Sequence, residues 1–245
     1  MDRLKNKVAV ITGGNSGIGF ATAQEFIAEG AEVVITGRNE QSLNEAVAKL
    51  GTKAVGITAD VQNMADLKQL AKRIQKHHAK IDVLFINAGI SLAAPIDLVD
   101  EEHFDSLFDI NVKGAFFSIQ QLLPLFNEKG SIILNASAVV HRGFAGLSIY
   151  TATKGALSAM ARSLSTELVD RKIRINTISP GPIETPIHGK MGLSQDMKNG
   201  YTQLVPMKRF GEPREIATIA TFLASDDSSF VIGEEIVAGG GVGTL

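Results

Sequence analysis

Cysteine is absent from this chain of 245 residues. Its absence excludes disulfide bonds and every metal site built on thiolate ligands, and it fits a reducing compartment. An excess of one charge sign is also missing, since 24 Lys and Arg residues face 26 Asp and Glu residues, for a formal net charge of −2. Nucleic acids and anionic membranes are bound through basic surfaces. We therefore predict neither as a partner, and we predict no metal site.

The start of the chain has no long hydrophobic run. Residues 1–7 are polar and charged, and the apolar run at residues 8–11 is too short for a secretion signal or a transmembrane helix. Hydrophobic residues make up 44% and charged residues 20%, which is enough apolar material for a sizeable core. We therefore expect a soluble, cytoplasmic protein.

Short apolar runs alternate with longer segments in which apolar residues recur every three or four positions. Strands are predicted at residues 8–12, 32–36, 54–58, 83–87, 131–135, 173–179 and 235–238. Helices are predicted at residues 17–29, 41–50, 64–77, 104–126 (as two helices), 150–170 and 215–224. This alternation predicts an α/β fold with a three-layer, doubly wound parallel sheet, the Rossmann fold. Residues 181–211 interrupt the alternation and are predicted to form a substrate-binding loop or lid.

A glycine-rich turn follows the first predicted strand and opens the first predicted helix. It reads Thr12-Gly13-Gly14-Asn15-Ser16-Gly17-Ile18-Gly19. Missing side chains let the backbone approach a pyrophosphate, and a helix N-terminus offers free N–H groups and a partial positive charge. A tight turn without a ligand would use the same residues. The position after the first strand of an alternating chain favours a dinucleotide site.

The end of the second predicted strand reads Thr36-Gly37-Arg38-Asn39. NAD-binding proteins place Asp or Glu at this point to hold the ribose diol, and here no carboxylate is present. The guanidinium of Arg38 could instead pair with a 2′-phosphate and stack on adenine. We predict NADP as the preferred cofactor, bound through Arg38, with NAD as the alternative. NAD would be favoured if Arg38 were only a solvated surface residue, and the nearby Glu40 also argues against NADP.

Polar and small residues also follow the third and fourth predicted strands. Asp60, which precedes Val61, could accept a hydrogen bond from the adenine amino group or cap the next helix. Asn87-Ala88-Gly89 ends the fourth strand, where open α/β sheets bind ligands. Asn87 could equally serve as a structural bridge between neighbouring strands.

Tyr150 and Lys154 stand four residues apart, so a helix would place them on one face. A phenol has an ordinary pKa near ~10, and a nearby ammonium group lowers it. Ser137 follows the fifth predicted strand, and its hydroxyl could hold a substrate oxygen. The combination with the glycine-rich turn favours an acid–base group over a surface pair. Asn111, isolated among apolar residues, could be a satisfied core amide.

Together these motifs resemble the short-chain dehydrogenase/reductase family, in its compact single-domain form. The resemblance covers essentially the whole chain, keeps the family's motif order and extends to Pro180-Gly181. The chain departs from the family at Ile86, where a second Asn is usual, and at Ala238-Gly239-Gly240, where Asp-Gly-Gly is frequent. Ser16 occupies a position that is often basic in NADP-preferring members, so NADP binding would rest on Arg38 alone.

The resemblance implies roles for the site residues. Tyr150 would exchange a proton with the substrate oxygen, and Ser137 would orient that oxygen. Lys154 would bind the nicotinamide ribose and lower the tyrosine pKa, and Asn111 would hold a water in a proton relay. The implied cofactor contacts are Thr12, Gly13, Asn15, Ser16, Gly17, Ile18, Gly19, Arg38, Asp60, Val61, Asn87, Ala88, Gly89, Tyr150, Lys154, Pro180, Gly181, Ile183 and Thr185.

The resemblance also implies the activity and the assembly. The expected enzyme is an NADP(H)-dependent oxidoreductase that interconverts a ketone and a secondary alcohol. The alternatives are a 3-oxoacyl-(acyl-carrier-protein) reductase, a sugar or polyol dehydrogenase and, in another class, a non-catalytic nucleotide-binding sensor. The chain is expected to form a homo-oligomer, most simply a tetramer, through residues 112–126 and 151–168, which carry surplus apolar side chains.

The substrate pocket is predicted to involve residues 90–94, 139–147 and 187–204. This lining is mostly apolar, with His141 and His188 as polar contacts, and it favours a ketone or alcohol with an apolar side. Docking of an acidic carrier protein needs a basic patch. Its candidates are Lys129, Arg171 and Lys172.

Overall fold

The computed structural model describes residues 2–185 and 195–245, with the side chains of residues 195–198 outside the description. Within these residues, seven parallel strands form one sheet in the order β3-β2-β1-β4-β5-β6-β7. The strands are β1 (Val8–Thr12), β2 (Glu32–Gly37), β3 (Ala54–Thr58), β4 (Ile81–Ile86), β5 (Phe126–Asn135), β6 (Arg174–Pro180) and β7 (Glu235–Ala238). This topology confirms the predicted doubly wound parallel sheet.

Helices cover both faces of the sheet. They are α1 (Gly17–Ala28), α2 (Glu40–Leu50), α3 (Met64–Gln75), α4 (Glu101–Phe108), α5 (Gly114–Leu122), α6 (Ser148–Leu168), α7 (Gln195–Leu204) and α8 (Pro213–Ala224). Of the described helices, none is both long enough and apolar enough to cross a membrane.

Successive side chains of the strands point to opposite faces of the sheet and pack into two apolar layers, one on each face. Val10 of β1 packs into the layer that α3, α5 and α6 cover, which contains Leu70 and Leu157. Its neighbour Ile11 points to the other layer, beneath α1 and α8, which contains Phe26 and Leu223. Because both faces of the sheet are buried, the strands read as continuous apolar runs in the sequence.

The predicted pair of helices at residues 104–126 is wrong in its details. A π-helix (Asp109–Lys113) joins α4 to α5, and a 3₁₀ turn (Leu123–Leu125) ends the helical region. Phe126 already belongs to β5 and is paired with Ile81 of β4. Apolar spacing did not separate these states because buried strands and buried helices both consist of apolar residues.

The carboxyl ends of β1, β4, β5 and β6 meet at one edge of the sheet, which we call the active edge. The strand order changes direction between β1 and β4, the topological switch point at which sheets of this kind bind ligands. The glycine-rich turn, Asn87, Ser137 and Pro180 all follow or end strands at this edge.

Candidate active site

The glycine-rich turn between β1 and α1 has backbone angles and close contacts that residues with side chains would not tolerate. Gly13 and Gly17 have φ angles of 63° and 55°, in the left-handed region that favours glycine. A Cβ atom at Gly19 would lie 2.4 Å from the carbonyl oxygen of Gly13. Ser16 is the N-cap residue of α1, but its side chain makes no capping hydrogen bond. The first N–H groups of α1 are therefore available to an anion, as a pyrophosphate site requires.

Thr12 and Asn87 connect this turn to the neighbouring strand. The Thr12 hydroxyl accepts hydrogen bonds from the N–H groups of Asn87 and Ala88, at 2.9 and 3.0 Å. Asn87 Nδ2 in turn donates to the carbonyl oxygens of Thr12 and Gly13, both at 3.0 Å. Asn87 is thus the structural bridge that the sequence left open, and the side chain of Thr12 faces β4.

The end of β2 leaves Arg38 exposed. A Cβ atom at Gly37 would lie 3.1 Å from Asn15 Oδ1, and Asn15 Nδ2 donates to Ser42 Oγ at 2.9 Å. Asn15 therefore helps to join the glycine-rich turn to α2. Within the described part of the chain, no side chain or backbone group bonds or pairs with the Arg38 guanidinium, so all its donors are available to a ligand.

Asp60 does not cap the helix after β3. Asn63 is the N-cap residue of α3, and its side chain accepts the N–H of Ala65 at 2.9 Å. One carboxylate oxygen of Asp60 accepts the N–H of Gln62 at 3.0 Å, which fixes the side chain at the strand end. Val61 is buried, and a Cβ atom at Gly114 would lie 2.9 Å from its carbonyl oxygen.

Lys154 is buried on the first turns of α6, with 5% of its surface exposed. Its Nζ donates to the carbonyl oxygen of Asn135 at 2.7 Å and lies 5.8 Å from the centre of the Tyr150 ring. Burial lowers the pKa of Lys154 from 10.5 to about 8. The ammonium form still dominates at neutral pH, and two of its three N–H donors remain for other partners.

The Ser137 hydroxyl lies close enough to the Tyr150 phenol to act on its pKa. Burial raises the pKa of the Tyr150 phenol, and the hydrogen bond from Ser137 opposes that rise without cancelling it. The expected lowering of this pKa by Lys154 is not among the causes that act on the phenol in this structure, and it stays a prediction. One N–H of the Lys154 ammonium donates to Asn135 O, and desolvation of the phenol is the largest influence on the Tyr150 pKa.

Asn111 lies in the π-helix and is fully hydrogen-bonded as a core amide. Its Oδ1 accepts the N–H of Ile90 at 2.9 Å, and its Nδ2 donates to Ile90 O and to Thr153 Oγ1, both at 3.0 Å. Thr153 Oγ1 donates to the carbonyl oxygen of Tyr150 at 2.7 Å. Asn111 thereby ties the loop after β4 to the helix that carries Tyr150. Its two amide protons are both used, so its role in holding a water remains a proposal.

Pro180 and Gly181 stand at the end of β6, beside the C-terminal turn. Gly181 N donates to Ala238 O at 3.0 Å, and a Cβ atom at Gly181 would lie 2.6 Å from Gly239 Cα. Ile183 is buried and bridges to Gly211. Thr185 is half-buried at the end of the described range. Residues 186–194, which include His188, lie outside the described residues.

An apolar cleft of about 640 Å³ opens next to the start of α6. Within this lining, Ser148 is the one polar side chain; the lining residues are Ala93, Ala94, Pro95, Ile96, Phe144, Ala145, Gly146 and Ser148. A hydrogen bond of 2.9 Å from Ala94 N to Gly146 O joins its two walls. His141 is not part of this lining, because its ring contacts Glu235 at 2.8 Å.

The basic patch predicted for a carrier protein lies at the wrong edge of the sheet within one copy of the chain. Lys129 lies near the start of β5, and Arg171 and Lys172 precede β6, so all three are at the edge opposite the active edge. Lys172 pairs with Glu128 at 3.2 Å, and Arg171 donates to Leu123 O at 2.9 Å.

Sequence reasoning missed Asn135 and Thr153. Asn135 contributes a backbone oxygen to Lys154 and donates from Nδ2 to Asn87 Oδ1 at 2.9 Å. A backbone acceptor carries no signal in the sequence. An Asn at the end of an apolar strand and a Thr between Tyr150 and Lys154 are the signals that could have identified the two residues.

Comparison with known proteins agrees with this arrangement over nearly the whole chain. The family model described as enoyl-(acyl carrier protein) reductase, of the short-chain type, matches residues 13–243. An oxidoreductase, asL5, from Sarocladium schorii is 40% identical over 247 residues, which span 100% of this chain and 99% of that protein. A 3-oxoacyl-(acyl-carrier-protein) reductase from Thermotoga maritima is 36% identical, across 98% of this chain and 99% of that protein.

A solved structure gives the same result for the fold. It is the crystal structure of a short-chain dehydrogenase/reductase from Brucella melitensis, described as a glucose/ribitol dehydrogenase. It is 36% identical in sequence, superimposes with a TM-score of 0.93 and covers 98% of each chain.

Proposed function

We propose that this chain, which belongs to the short-chain dehydrogenase/reductase family and is an oxidoreductase acting on CH–OH groups, interconverts a ketone and a secondary alcohol with NADP(H) as its preferred cofactor. One observation carries the proposal. Tyr150 lies beside both Ser137 and the buried ammonium of Lys154, at the same edge of the sheet as the glycine-rich turn.

The described residues fit a dinucleotide. The turn from Gly13 to Gly19 has the backbone angles and the close approach that leave room for a pyrophosphate, and the N-terminus of α1 has no side-chain cap. Lys154 has donors left that would bind the ribose hydroxyls, and Asp60, held at the end of β3 by the N–H of Gln62, would accept a hydrogen bond from the adenine amino group. A bound nicotinamide cofactor supplies or accepts the hydride.

The chain's own residues handle the proton. In reduction, Tyr150 Oη gives its proton to the carbonyl oxygen, and Ser137 Oγ donates a hydrogen bond to the same oxygen. The phenolate that remains is stabilised by the positive charge of Lys154, whose Nζ lies 5.8 Å from the centre of the Tyr150 ring. In oxidation, the same atoms work in reverse. The raised pKa of Tyr150 means that the phenol starts reduction fully protonated.

The preference for NADP rests on Arg38. Its guanidinium is exposed at the end of β2 with its donors available, and the chain places no carboxylate at Gly37 to repel a 2′-phosphate. The Arg38→Ala variant should lose at least about tenfold in kcat/KM with NADPH and little with NADH, since a charged hydrogen-bonded pair is worth about 1.5–3 kcal/mol. Lys49→Ala, at an exposed position of α2, is the control. A wild type that prefers NADH would show that the cofactor assignment is wrong.

The apolar cleft favours a ketone with apolar substituents. A free sugar would leave several hydroxyl groups facing alanine, proline and phenylalanine side chains, at a cost for each unpaired group. The test is NADPH oxidation with a panel of aliphatic and aryl ketones, 3-oxoacyl esters and sugars. Turnover of sugars alone would refute the substrate class, and cofactor binding without any turnover would favour a nucleotide sensor.

The 3-oxoacyl-(acyl-carrier-protein) reductase remains the second candidate because a relative with that name matches the full chain. The apolar cleft would accept an acyl chain. The basic residues expected to dock the carrier lie at the opposite edge, and one is neutralised by Glu128. Comparable kcat/KM for free ketones and for the acyl carrier thioester would favour the general ketone reductase, whereas a large advantage for the thioester would favour this second function.

We also propose that residues 181–211 act as a substrate-binding loop of the one domain. In the described part, Gly211 N donates to Pro182 O at 2.9 Å, and Glu184 N donates to Gly211 O at 2.8 Å, so the two ends of the loop are held together. Helix α7 lies within this segment. The lid is proposed at residues 187–203, of which residues 187–194 lie outside the described residues. Hydrogen exchange that slows there on NADPH binding supports a lid, and equal protection with and without NADPH refutes it.

A further inference from the structure

Glu235, the first residue of β7, is a carboxylate shared by several segments. Its Oε1 accepts a hydrogen bond from Ser179 on β6 and lies 2.8 Å from His141 Nε2. The buried Ser158 of α6 lies beside the same carboxylate, although its hydroxyl meets no partner at hydrogen-bond geometry among the described residues. Only 18% of the Glu235 side chain is exposed. The carboxylate is therefore an internal junction of β6, β7, α6 and the turn that contains His141.

Each residue that contacts Glu235 lies on the same segment as a residue of the proposed site. His141 ends the 3₁₀ helix (Ala138–His141) whose N-cap residue is Ser137. Ser179 directly precedes Pro180-Gly181 at the end of β6. Ser158 comes four residues after Lys154 and eight after Tyr150, so the three share one face of α6. Glu235 thus connects the turn that presents Ser137 to the helix that presents Tyr150.

The fold alone does not require a charge at this position. Burial raises the pKa of Glu235, and hydrogen bonds from Ser179 and His141, with a contribution from Ser158, outweigh burial and lower it. Replacement of a buried ion pair by well-packed apolar residues is often neutral or stabilising. A partly buried carboxylate with several directed partners is better suited to fixing orientation than to adding stability.

We propose that Glu235 is a positioning residue, which acts through His141 and the 3₁₀ helix to hold the Ser137 hydroxyl against the Tyr150 phenol. This inference rests on the proposed ketone–alcohol interconversion, in which Ser137 orients the substrate oxygen. Glu235 itself touches neither the substrate oxygen nor the reacting proton.

A double-mutant cycle tests the connection. Glu235→Ala should lower kcat about tenfold or more, below the roughly 10²–10³-fold cost of deleting a transition-state donor outright, with substrate KM changed less than about threefold. In a Ser137→Ala background the same change should cost less than about twofold, because the group it positions is gone. Glu235→Gln, which keeps the hydrogen-bonding shape, should recover most of kcat. Glu234→Ala, at the exposed neighbouring position, should match the wild type. If Glu235→Ala lowers kcat by the same factor in the wild type and in the Ser137→Ala variant, the proposal is overturned.

A second readout does not depend on turnover. The chain has two tyrosines and no tryptophan, so ¹³Cζ-tyrosine labelling gives two resonances, and Tyr201→Phe assigns them. The Ser137→Ala variant lacks the hydroxyl that contacts the phenol, so its spectrum gives the direction in which the Tyr150 resonance moves when that contact is lost. Glu235→Ala should move the Tyr150 resonance in the same direction, and Glu234→Ala should leave it in place. A Tyr150 resonance unmoved by Glu235→Ala would refute the positioning role. Absence of turnover with every carbonyl would instead refute the proposed function.

Discussion

At the residue scale, Lys154 joins α6 to β5, because its buried ammonium group donates to the carbonyl oxygen of Asn135 at 2.7 Å. The four-residue spacing to Tyr150 predicted a shared helix face, and α6 provides it. The sequence could not reveal that the Lys154 ammonium donates to a backbone oxygen of β5. It also could not reveal that burial raises the pKa of the Tyr150 phenol, because burial depends on how the helix packs in the fold. Asn111 is similar, since a polar residue among apolar ones predicted a satisfied amide but not its partners Ile90 and Thr153.

The buried ammonium predicts a pH dependence of stability. Folding lowers the pKa of Lys154 from 10.5 to about 8, so between these values the unfolded chain holds a proton that the folded chain has released. The free energy of unfolding contributed by this group therefore rises with pH across that window. Relative to Lys154→Met, the wild type should gain about 3 kcal/mol between pH 8 and pH 10.5, measured by urea unfolding.

Exposed Lys49→Met is the control for this experiment, because a solvated lysine gains nothing from losing its proton. The difference between wild type and Lys49→Met should stay constant over the same pH range. A constant difference between wild type and Lys154→Met would contradict the burial of a charged Lys154.

At the scale of elements, the strands were predictable and some helix boundaries were not. The strands β1, β3 and β7 have the predicted bounds because turn residues flank their apolar runs. The π-helix between α4 and α5 and the early start of β5 escaped prediction. Asn111 is polar but buried, and its Nδ2 donates to Thr153 Oγ1. Its polarity therefore did not indicate where the α-helix changes to a π-helix.

The glycine-rich turn gives a prediction at this scale. A methyl group at Gly19 would lie 2.4 Å from Gly13 O and 2.5 Å from Asn87 Nδ2, so Gly19→Ala must push the turn away from β4. We expect the dissociation constant for NADPH, measured by fluorescence titration, to rise at least about tenfold, since a displaced turn loses N–H contacts to the pyrophosphate. Gly143→Ala adds its methyl group to open space and should leave the NADPH affinity unchanged. Equal affinities for the two variants would show that this turn does not bind the cofactor.

At the scale of the whole molecule, the face formed by α4, α5 and α6 presents apolar side chains to solvent. A concave surface of about 390 Å³ is lined there by Phe108, Asp109, Val112, Lys113, Phe116, Phe117 and Met160. Phe104 and Phe116 are 41% and 37% exposed. A helix that packs only on a sheet needs a single apolar stripe, so this surplus favours a contact with a second copy of the chain.

We expect light scattering at micromolar concentration to give a homo-oligomer, most simply four copies of the 26.1 kDa chain. Phe116→Asp would place a charge in the proposed contact and should shift the mass toward a smaller species. Leu245→Asp, at an apolar residue that is 93% exposed and lies outside the proposed contact, is the control. A wild type that is monomeric, or a Phe116→Asp variant of unchanged mass, would refute this interface.

The central claim is that the Tyr150 phenol transfers the proton in a reaction that Ser137 and Lys154 support. The most direct test is the turnover number of Tyr150→Phe with NADPH and the best ketone of the panel, measured beside the NADPH dissociation constant of the same variant. We predict that kcat falls by about 10²–10⁴-fold, the usual contribution of a general acid, while NADPH affinity stays within about twofold of wild type. A Tyr150→Phe variant that turns over like the wild type would contradict the account.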